Sequence, residues 1–222
     1  MVPIMIKLYF VPPSVYAAKV RMALRFKGLE FEQELPPEGY GSDAYRKIVP
    51  SGTIPALDDD GVILIETEAI VEYLDEKFPT PPLLPTGLVE RAQARAGARY
   101  HDTRIEPIVR SLFKLVPDYQ VEGPAFQDAA NLMMDRLERM TEIMPMAPYL
   151  AGAQLSVADL TFPATFNIAE RLFDLSRATF QMPAKVTAWR ELLLENEIIA
   201  QAAEEIDAAF AKWIANKTLP TE

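Results

Sequence analysis

The stretch that decides the fold is residues 51–74, SGTIPALDDDGVILIETEAIVEYL. Two apolar runs, residues 54–57 and 62–65, flank Asp60-Gly61, and this arrangement indicates a β-hairpin. Residues 67–78 then carry apolar side chains at the 3.6-residue spacing of an amphipathic helix. The stretch therefore predicts two antiparallel strands followed by a helix.

A second unit of structure precedes the hairpin. Residues 5–10 are a candidate buried strand, and residues 15–27 have helical periodicity that ends at Gly28. A further strand is predicted over residues 31–35, closed by Pro36-Pro37. A strand-helix-strand order requires parallel pairing, whereas the hairpin adds an antiparallel pair.

The remainder of the chain is predicted to be helical. The segment PTPPLLP at residues 79–85 cannot continue a helix and indicates a stiff linker. Beyond it, helical patterning recurs over residues 88–116, 125–144, 157–175, 184–195 and 199–214. We therefore expect an α/β domain over residues 1–80, a proline-rich linker over 81–90 and an all-α domain over 91–222.

Composition excludes several classes of chemistry. The 22 basic and 32 acidic residues give a net charge of −10, which argues against a nucleic-acid partner. Cysteine is absent and His101 is the sole histidine, so thiolate nucleophiles and multi-histidine metal sites are excluded, and we expect no metal. If this protein catalyses thiol chemistry, the thiol must come from a ligand.

Hydropathy indicates a protein of the cytosol. No apolar run is long enough to cross a bilayer, so we expect no membrane partner. Residues 1–10 are apolar but lack the basic leader and small-residue cleavage site of a signal peptide. We therefore expect a cytoplasmic protein.

The order of elements, together with specific residues, resembles the cytosolic glutathione transferase family over essentially the whole chain. The family pattern N-P-x-x-x-[IV]-P-x-L, then a hairpin, then [EQ]-[ST]-x-A-I, is similar to residues 49–57 and 66–70. The resemblance implies a thioredoxin-like βαβ-ββα domain followed by a helical domain. It also implies glutathione as co-substrate and a homodimer.

Four residues match the positions at which the family binds glutathione. The family holds a cis peptide at Ile54-Pro55, where exposed main-chain groups of Ile54 could pair with the cysteinyl unit like an added strand. At the helix start, Glu66 would meet the ammonium of the γ-glutamyl unit and Thr67 its carboxylate. The alternatives are an ordinary trans proline and a Thr67 that is only an N-cap.

The candidate catalytic residue is Ser14. It resembles the serine of the serine-type branches (zeta, theta, delta and tau-like), which lies seven residues before the Arg of a VR-x-AL helix, here Arg21. A hydroxyl donating to the sulfur of glutathione would favour the thiolate. The alternatives are that Ser14 only caps a helix, or that Tyr16 is the sulfur donor, since other branches use tyrosine.

The zeta-like branch, which includes maleylacetoacetate and maleylpyruvate isomerases, has an N-A-E-R-F run similar to residues 167–173. Its arginine meets a substrate carboxylate, and Arg171 is at that position, with a salt bridge as the alternative role. The zeta sequence S-S-C is replaced by Ser14-Val15-Tyr16, which argues against isomerase activity. The family's polar side chain for the glycyl end of glutathione is replaced by Gly52, leaving three substitutes, namely Tyr40, Arg46 and Lys47.

Two more expectations concern the helical part. Val11, Pro12, Tyr16 and His101 are expected, with Arg171, to line an apolar acceptor pocket, although a histidine beside an aspartate is usually a surface or interface group. Ser156 and Asp159 match the family's capping box, a folding element without chemistry.

Three functions remain open. The first is a glutathione S-transferase that activates glutathione through Ser14 for attack on a hydrophobic electrophile. The second is a glutathione-dependent cis-trans isomerase in which Arg171 holds an acidic substrate. The third is a non-catalytic glutathione transferase-like binding protein, which Gly52 and Val15-Tyr16 favour slightly.

Overall fold

The structure is a computed structural model that describes residues 6–116 and 124–218. The chain divides into two compact units, Met1–Leu84 (unit 1) and Pro85–Glu222 (unit 2). Unit 1 holds a small sheet with helices, and unit 2 is built from helices. The predicted fold class, α/β followed by all-α, is confirmed.

Unit 1 is organised around a sheet of four strands. In chain order these are β1 (Ile6–Tyr9), β2 (Glu32–Glu34), β3 (Ala56–Asp59) and β4 (Val62–Ile65). The spatial order is β2-β1-β3-β4, with β1 and β2 parallel and the other two pairs antiparallel. The helices are α1 (Val15–Phe26), α2 (Asp43–Arg46) and α3 (Thr67–Lys77). The predicted mixture of parallel and antiparallel pairing is therefore confirmed.

The hairpin turn has the geometry that its sequence predicts. Asp59 pairs with Val62, so Asp60 and Gly61 form a two-residue turn. Their φ angles are +55° and +89°, the left-handed values of a type I′ turn. The Gly61 N–H donates to Asp58 Oδ1 at 2.8 Å and closes the loop. Of the three consecutive aspartates, Asp58 and Asp59 therefore belong to β3 and Asp60 lies in the turn.

The proline-rich segment packs on unit 1 and forms hydrogen bonds with it as far as Leu84. Leu83 and Leu84 are buried, and their N–H groups donate to the Asp75 carboxylate at 2.7 and 3.1 Å. Lys27 donates to Asp75 and to the Pro81 carbonyl, each at 2.5 Å. The limits 1–80, 81–90 and 91–222 remain a prediction.

Unit 2 contains six α-helices among the described residues. They are α4 (Leu88–Tyr100), α5 (Glu106–Phe113), α6 (Pro124–Ile143), α7 (Phe162–Ser176), α8 (Ala184–Leu194) and α9 (Glu197–Thr218). A π-helical turn over His101–Ile105 separates α4 from α5, where periodicity predicts one continuous helix. No helix in the described part of the chain is both long and apolar enough to span a bilayer.

The predicted capping box of Ser156 and Asp159 forms, and the Asp159 carboxylate accepts from further donors outside it. The Asp159 carboxylate accepts the Ser156 N–H at 2.8 Å, as expected, but also the Leu150 N–H at 2.9 Å and Trp189 Nε1 at 3.0 Å. The Asp159 N–H donates to the Ser156 carbonyl at 3.0 Å rather than to its hydroxyl. The Ser156 hydroxyl instead donates to the Asp159 carboxylate at 3.2 Å and accepts the Ala158 N–H. Residues 157–160 form turns around this buried carboxylate, and α7 therefore begins later than the predicted residue 157, at Phe162.

Candidate functional site

One end of each of the strands β1, β3 and β4 lies at the same end of the sheet of unit 1. Tyr9 at the end of β1 pairs with Ala56 at the start of β3, and Ala56 also pairs with Ile65 at the end of β4. The segments that leave β1, enter β3 and leave β4 therefore lie at the same end of the sheet. This end, the site end, carries all five principal site residues predicted above, namely Ser14, Ile54, Pro55, Glu66 and Thr67.

Ser14 is the N-cap of α1. Its Oγ accepts the Ala17 N–H at 3.2 Å, and its backbone is extended, with φ −83° and ψ 111°. Its N–H donates to the Val11 carbonyl at 3.1 Å, which folds residues 11–14 into a tight turn. A hydroxyl has one proton to donate as well as lone pairs that accept, so capping leaves the Ser14 proton available. The capping alternative is therefore compatible with a donor role.

Ile54 and Pro55 are joined by a cis peptide, as predicted. Within the described ranges, no residue pairs with the Ile54 N–H or carbonyl. The preceding Thr53 carbonyl accepts the Tyr45 hydroxyl at 3.0 Å, and Ile54 packs on the small core that contains Tyr45. Burial raises the pKa of Tyr45, so this hydroxyl is a constant donor at physiological pH. Tyr45, which the sequence pattern did not single out, thus holds the segment before Ile54.

Glu66 and Thr67 form the start of α3. Glu66 has φ +68° and ψ 115°, values that few non-glycine residues adopt, and its side chain is exposed without a capping bond. Thr67 is buried, yet no described residue accepts from or donates to its hydroxyl. The N–H groups of the first turn have no intrahelical acceptor, and the helix dipole makes this end electropositive. The geometry favours an anion here.

Two buried ion pairs join α1 to α3. Lys19 pairs with Glu68, and Lys27 pairs with Asp75 at 2.5 Å. Because the residue numbers rise together along both helices, α1 and α3 run parallel with their N-termini at the same end. The sequence contained a signal for the first pair, since a lysine within the apolar run from Ala17 to Leu24 needs a buried partner.

Arg46 fills the space beside Gly52. A Cβ built on Gly52 would lie 2.9 Å from Arg46 Cζ, and Gly52 has φ +68°. The guanidinium donates to the carbonyls of Gly41, Pro50 and Ser51 at 3.1 to 3.4 Å. All three substitutes predicted for the glycyl end are exposed, and Arg46 is the one with contacts recorded beside residue 52.

The predicted acceptor residues of unit 1 lie near Ser14. Val11 is half-buried and Pro12 exposed, both in the turn that leads from β1 to Ser14. Tyr16 is half-buried in the first turn of α1. The site end is therefore apolar beside the Ser14 hydroxyl.

His101 occupies the interior of unit 2. The side chain is fully buried, Nδ1 is 2.9 Å from Asp102 Oδ1, and Nε2 is 2.8 Å from Thr165 Oγ1. Its ring also meets the Phe162 ring edge-on, with centroids 5.0 Å apart. Both ring nitrogens are engaged, so this position does not support the predicted substrate contact and indicates a structural role in the π-helical turn.

Arg171 forms a two-point ion pair with Asp207. Nε donates to Oδ1 at 2.9 Å and Nη2 to Oδ2 at 2.6 Å, which ties α7 to α9. This bond raises the pKa of Arg171 above its usual range. The pair borders an open cleft of about 550 Å³ that Glu170 and Asp174 also line. The salt-bridge alternative is therefore the one observed, and the acidic cleft wall does not favour an acidic substrate.

Comparison with known proteins gives the family. The N-terminal domain family of glutathione S-transferases matches residues 8–82. Glutathione S-transferase Z2 of Arabidopsis thaliana is 31% identical over 81% of this chain and 83% of its own length. Maleylacetoacetate isomerase of Dictyostelium discoideum is 32% identical over 69% of this chain and 74% of its own. Glutathione S-transferase Z1 of Arabidopsis thaliana reaches 46% identity, but the alignment spans only 41% of that protein and 39% of this chain.

Solved structures show the same fold. A glutathione transferase of Bombyx mori, BmGSTD1, superposes with a TM-score of 0.78 at 24% identity, covering 96% of this chain and 97% of its own. Together with the arrangement of the site end, these relatives confirm the family predicted from residues 49–57 and 66–70. The chain belongs to the glutathione S-transferase family.

Proposed function

We propose that this protein is a glutathione S-transferase that activates the thiol of glutathione with Ser14. The observation that carries the proposal is the Ser14 hydroxyl itself, which accepts the Ala17 N–H and keeps its own proton, at the site end of the sheet. A hydrogen bond from this proton to the sulfur stabilises the thiolate. Lowering a thiol pKa from about 8.5 to about 6.5 raises the ionised fraction at pH 7 from about 3% to about three-quarters.

Glutathione is an extended ligand, and the site end offers a matching row of groups. The cysteinyl unit pairs with the free main-chain groups of Ile54, as a strand adds to a sheet edge. The γ-glutamyl carboxylate meets the Thr67 hydroxyl and the first N–H groups of α3, while exposed Glu66 meets the ammonium. This order places the sulfur toward Ser14.

The electrophile is proposed to be hydrophobic. Val11, Pro12 and Tyr16 surround Ser14 with apolar surface, so the thiolate would meet an apolar acceptor. The reactions that suit such a thiolate are aromatic or alkyl halide substitution, conjugate addition and hydroperoxide reduction. Sulfur forms a bond to the electrophilic carbon in the first two, and the halide leaves or the adjacent carbon takes a proton. In the third, the thiolate attacks the O–O bond and the alcohol leaves, and a second glutathione then gives glutathione disulfide and water.

The isomerase alternative has support from the names of relatives, which include maleylacetoacetate isomerase. Two observations disfavour it in this chain, namely the replacement of S-S-C by Ser14-Val15-Tyr16 and the engagement of Arg171 with Asp207. The non-catalytic alternative does not explain why the Ser14 hydroxyl, the Thr67 hydroxyl and the main-chain groups of Ile54 keep unused hydrogen-bonding capacity. The transferase is therefore the preferred function.

Family members typically dimerise, and we propose a homodimer in the cytosol. Each unit exposes apolar side chains that a partner could cover, Val62 and Ile65 on β4 and Leu88 and Val89 on α4. Size-exclusion chromatography with light scattering tests this proposal, and a monomer at micromolar concentration would contradict it.

The test of the proposed function is calorimetric titration of glutathione into wild-type protein and Ser14→Ala, with thiolate ultraviolet absorbance followed across pH. We expect both proteins to bind, and only the wild type to ionise the thiol near neutral pH. Ser42→Ala is the matched control, because Ser42 caps α2 through the Tyr45 N–H at 3.0 Å and has no predicted contact with sulfur. No binding to wild type at millimolar glutathione would refute the proposal and favour the binding-protein alternative.

A further inference from the structure

The Lys19–Glu68 pair involves the first turn of α3, the proposed carboxylate-binding end of that helix. Glu68 is the second residue of α3, next to Thr67, and it is buried. Lys19 on α1 has no exposed surface, and its ammonium contacts Glu68 Oε1. Two acidic residues, Glu66 and Glu68, thus flank the position where an anion is proposed to bind.

A carboxylate in the first turn of a helix interacts well with the dipole but competes with an external anion for the same electropositive end. A second negative charge so close would repel the γ-glutamyl carboxylate unless it were compensated. Lys19 is the only described cation paired with Glu68, and this pair is shielded from solvent. Screening by salt is therefore weak, and the compensation must come from the protein itself.

We infer that Lys19 is a positioning residue for glutathione: it neutralises Glu68 and so keeps the N-terminus of α3 attractive to the γ-glutamyl carboxylate. The inference rests on the proposed function. It assigns Lys19 an electrostatic effect through Glu68 that goes beyond joining two helices. Burial of a charged pair is weak evidence for stability alone, since an apolar pair of similar volume is often as stable.

The molecule provides a matched control in the other buried pair. Lys27 is also a buried lysine of the α1 segment paired with a carboxylate of α3, Asp75. Lys27, the C-cap of α1, lies eight positions after Lys19, a distance of about 12 Å along a helix. Lys27→Met therefore breaks a similar pair between the same helices, far from Thr67.

The experiment measures the affinity of S-methylglutathione, which keeps both carboxylates but lacks a free thiol, by calorimetry on folded protein checked by circular dichroism. Lys19→Met is expected to bind about tenfold or more weakly than wild type, because Glu68 is then uncompensated. Lys27→Met and the double variant Lys19→Met/Glu68→Gln are expected to bind within about threefold of wild type.

The direction in which Glu68→Gln changes the affinity for S-methylglutathione decides between a charge-compensating role and a purely structural one. If the pair acts only as a clamp between helices, Glu68→Gln and Lys19→Met weaken binding alike, and the inference is overturned. If Lys19 compensates charge, Glu68→Gln binds as well as wild type or better. This variant also keeps the inference testable when Lys19→Met does not fold.

A ligand variant completes the test. The analogue of S-methylglutathione with γ-aminobutyrate in place of the γ-glutamyl unit lacks the α-carboxylate, so Lys19→Met should bind it as wild type does. Wild type that binds S-methylglutathione while Lys19→Met binds equally well overturns the inference alone. Wild type that does not bind S-methylglutathione overturns the proposed function as well.

Discussion

The site end of unit 1 and the polar clusters of unit 2 contain similar kinds of side chain but use them differently. At the site end, Ser14 keeps a proton and Thr67 has no partner among the described residues. In unit 2, Asp159, His101 and Arg171 each meet internal partners with good geometry. Because a buried polar group without a partner is costly, the polar groups inside unit 2 are paired, whereas the site end keeps unused hydrogen-bonding capacity. The comparison separates the groups that we propose to bind glutathione from the groups that hold the fold of unit 2.

The largest expected effect lies in unit 2. Asp159→Ala removes the acceptor of the Leu150 and Ser156 N–H groups and of Trp189 Nε1, leaving buried donors unpaired. We expect the free energy of unfolding to fall by about 3–5 kcal/mol. Urea denaturation measures this loss. Folded Asp159→Ala should keep the wild-type affinity for glutathione, and a selective loss of affinity would break the comparison.

The next largest effect is expected at the site end, where a substitution should weaken glutathione binding and leave stability nearly unchanged. Thr67→Val keeps the shape of the side chain and removes a hydroxyl with no described partner, so stability should change by less than about 0.5 kcal/mol. Glutathione affinity should fall about 30-fold, since a hydrogen bond to a charged group contributes about 2 kcal/mol. Calorimetry and denaturation on the same samples test both parts. Unchanged affinity would make Thr67 only a helix start.

A third prediction uses the opposite end of the same sheet. Asp59, at the end of β3, accepts the Tyr73 hydroxyl at 2.5 Å and pairs with Lys77. Burial by itself would raise the pKa of Asp59, but the bonds from Lys77 and Tyr73 outweigh it and lower this pKa below its usual range. The stabilisation is therefore complete above the unfolded pKa of about 3.9 and is lost as pH falls through the lower folded value.

Asp59→Asn should accordingly reduce the free energy of unfolding by about 1.5 kcal/mol at pH 7. The difference from wild type should shrink as pH falls below about 4, which denaturation across pH 2–7 would reveal. Glutathione affinity should be unchanged, because Asp59 lies at the hairpin end of β3. A difference in stability that is constant with pH would show that the ion pair is not its source.

The smallest effect is expected at Arg171. The pair with Asp207 is more than a third exposed on both sides, and exposed pairs contribute about 0.2–1 kcal/mol. Arg171→Met should therefore lower stability by no more than about 1 kcal/mol and leave glutathione conjugation intact. An assay with a cis-dienoic diketo acid sharpens the comparison. If wild type isomerises this acid and Arg171→Met does not, a substrate site lies in unit 2 and the isomerase alternative leads.

The sequence by itself determined the architecture and most of the site end. Asp60-Gly61 specifies a two-residue turn, since both positions need positive φ, and apolar periodicity specifies the helices. The family pattern at residues 49–57 and 66–70 predicted the cis bond of Ile54-Pro55 and the helix start at Glu66 and Thr67, because both are local features of the chain. The spacing of Ser14 from Arg21 is a local feature of the same kind, and the structure has Ser14 at the N-cap of α1.

The tertiary structure alone decided which polar side chains are satisfied. Lys19, His101 and Arg171 have partners that lie 49, 64 and 36 residues away, and no local pattern encodes such distances. The same reason explains why helix α7 begins at Phe162, since Asp159 draws residues 150 and 189 to one carboxylate. Sequence patterns indicate which groups a residue can bind, whereas only the packed fold determines whether an internal hydrogen bond or ion pair already occupies it.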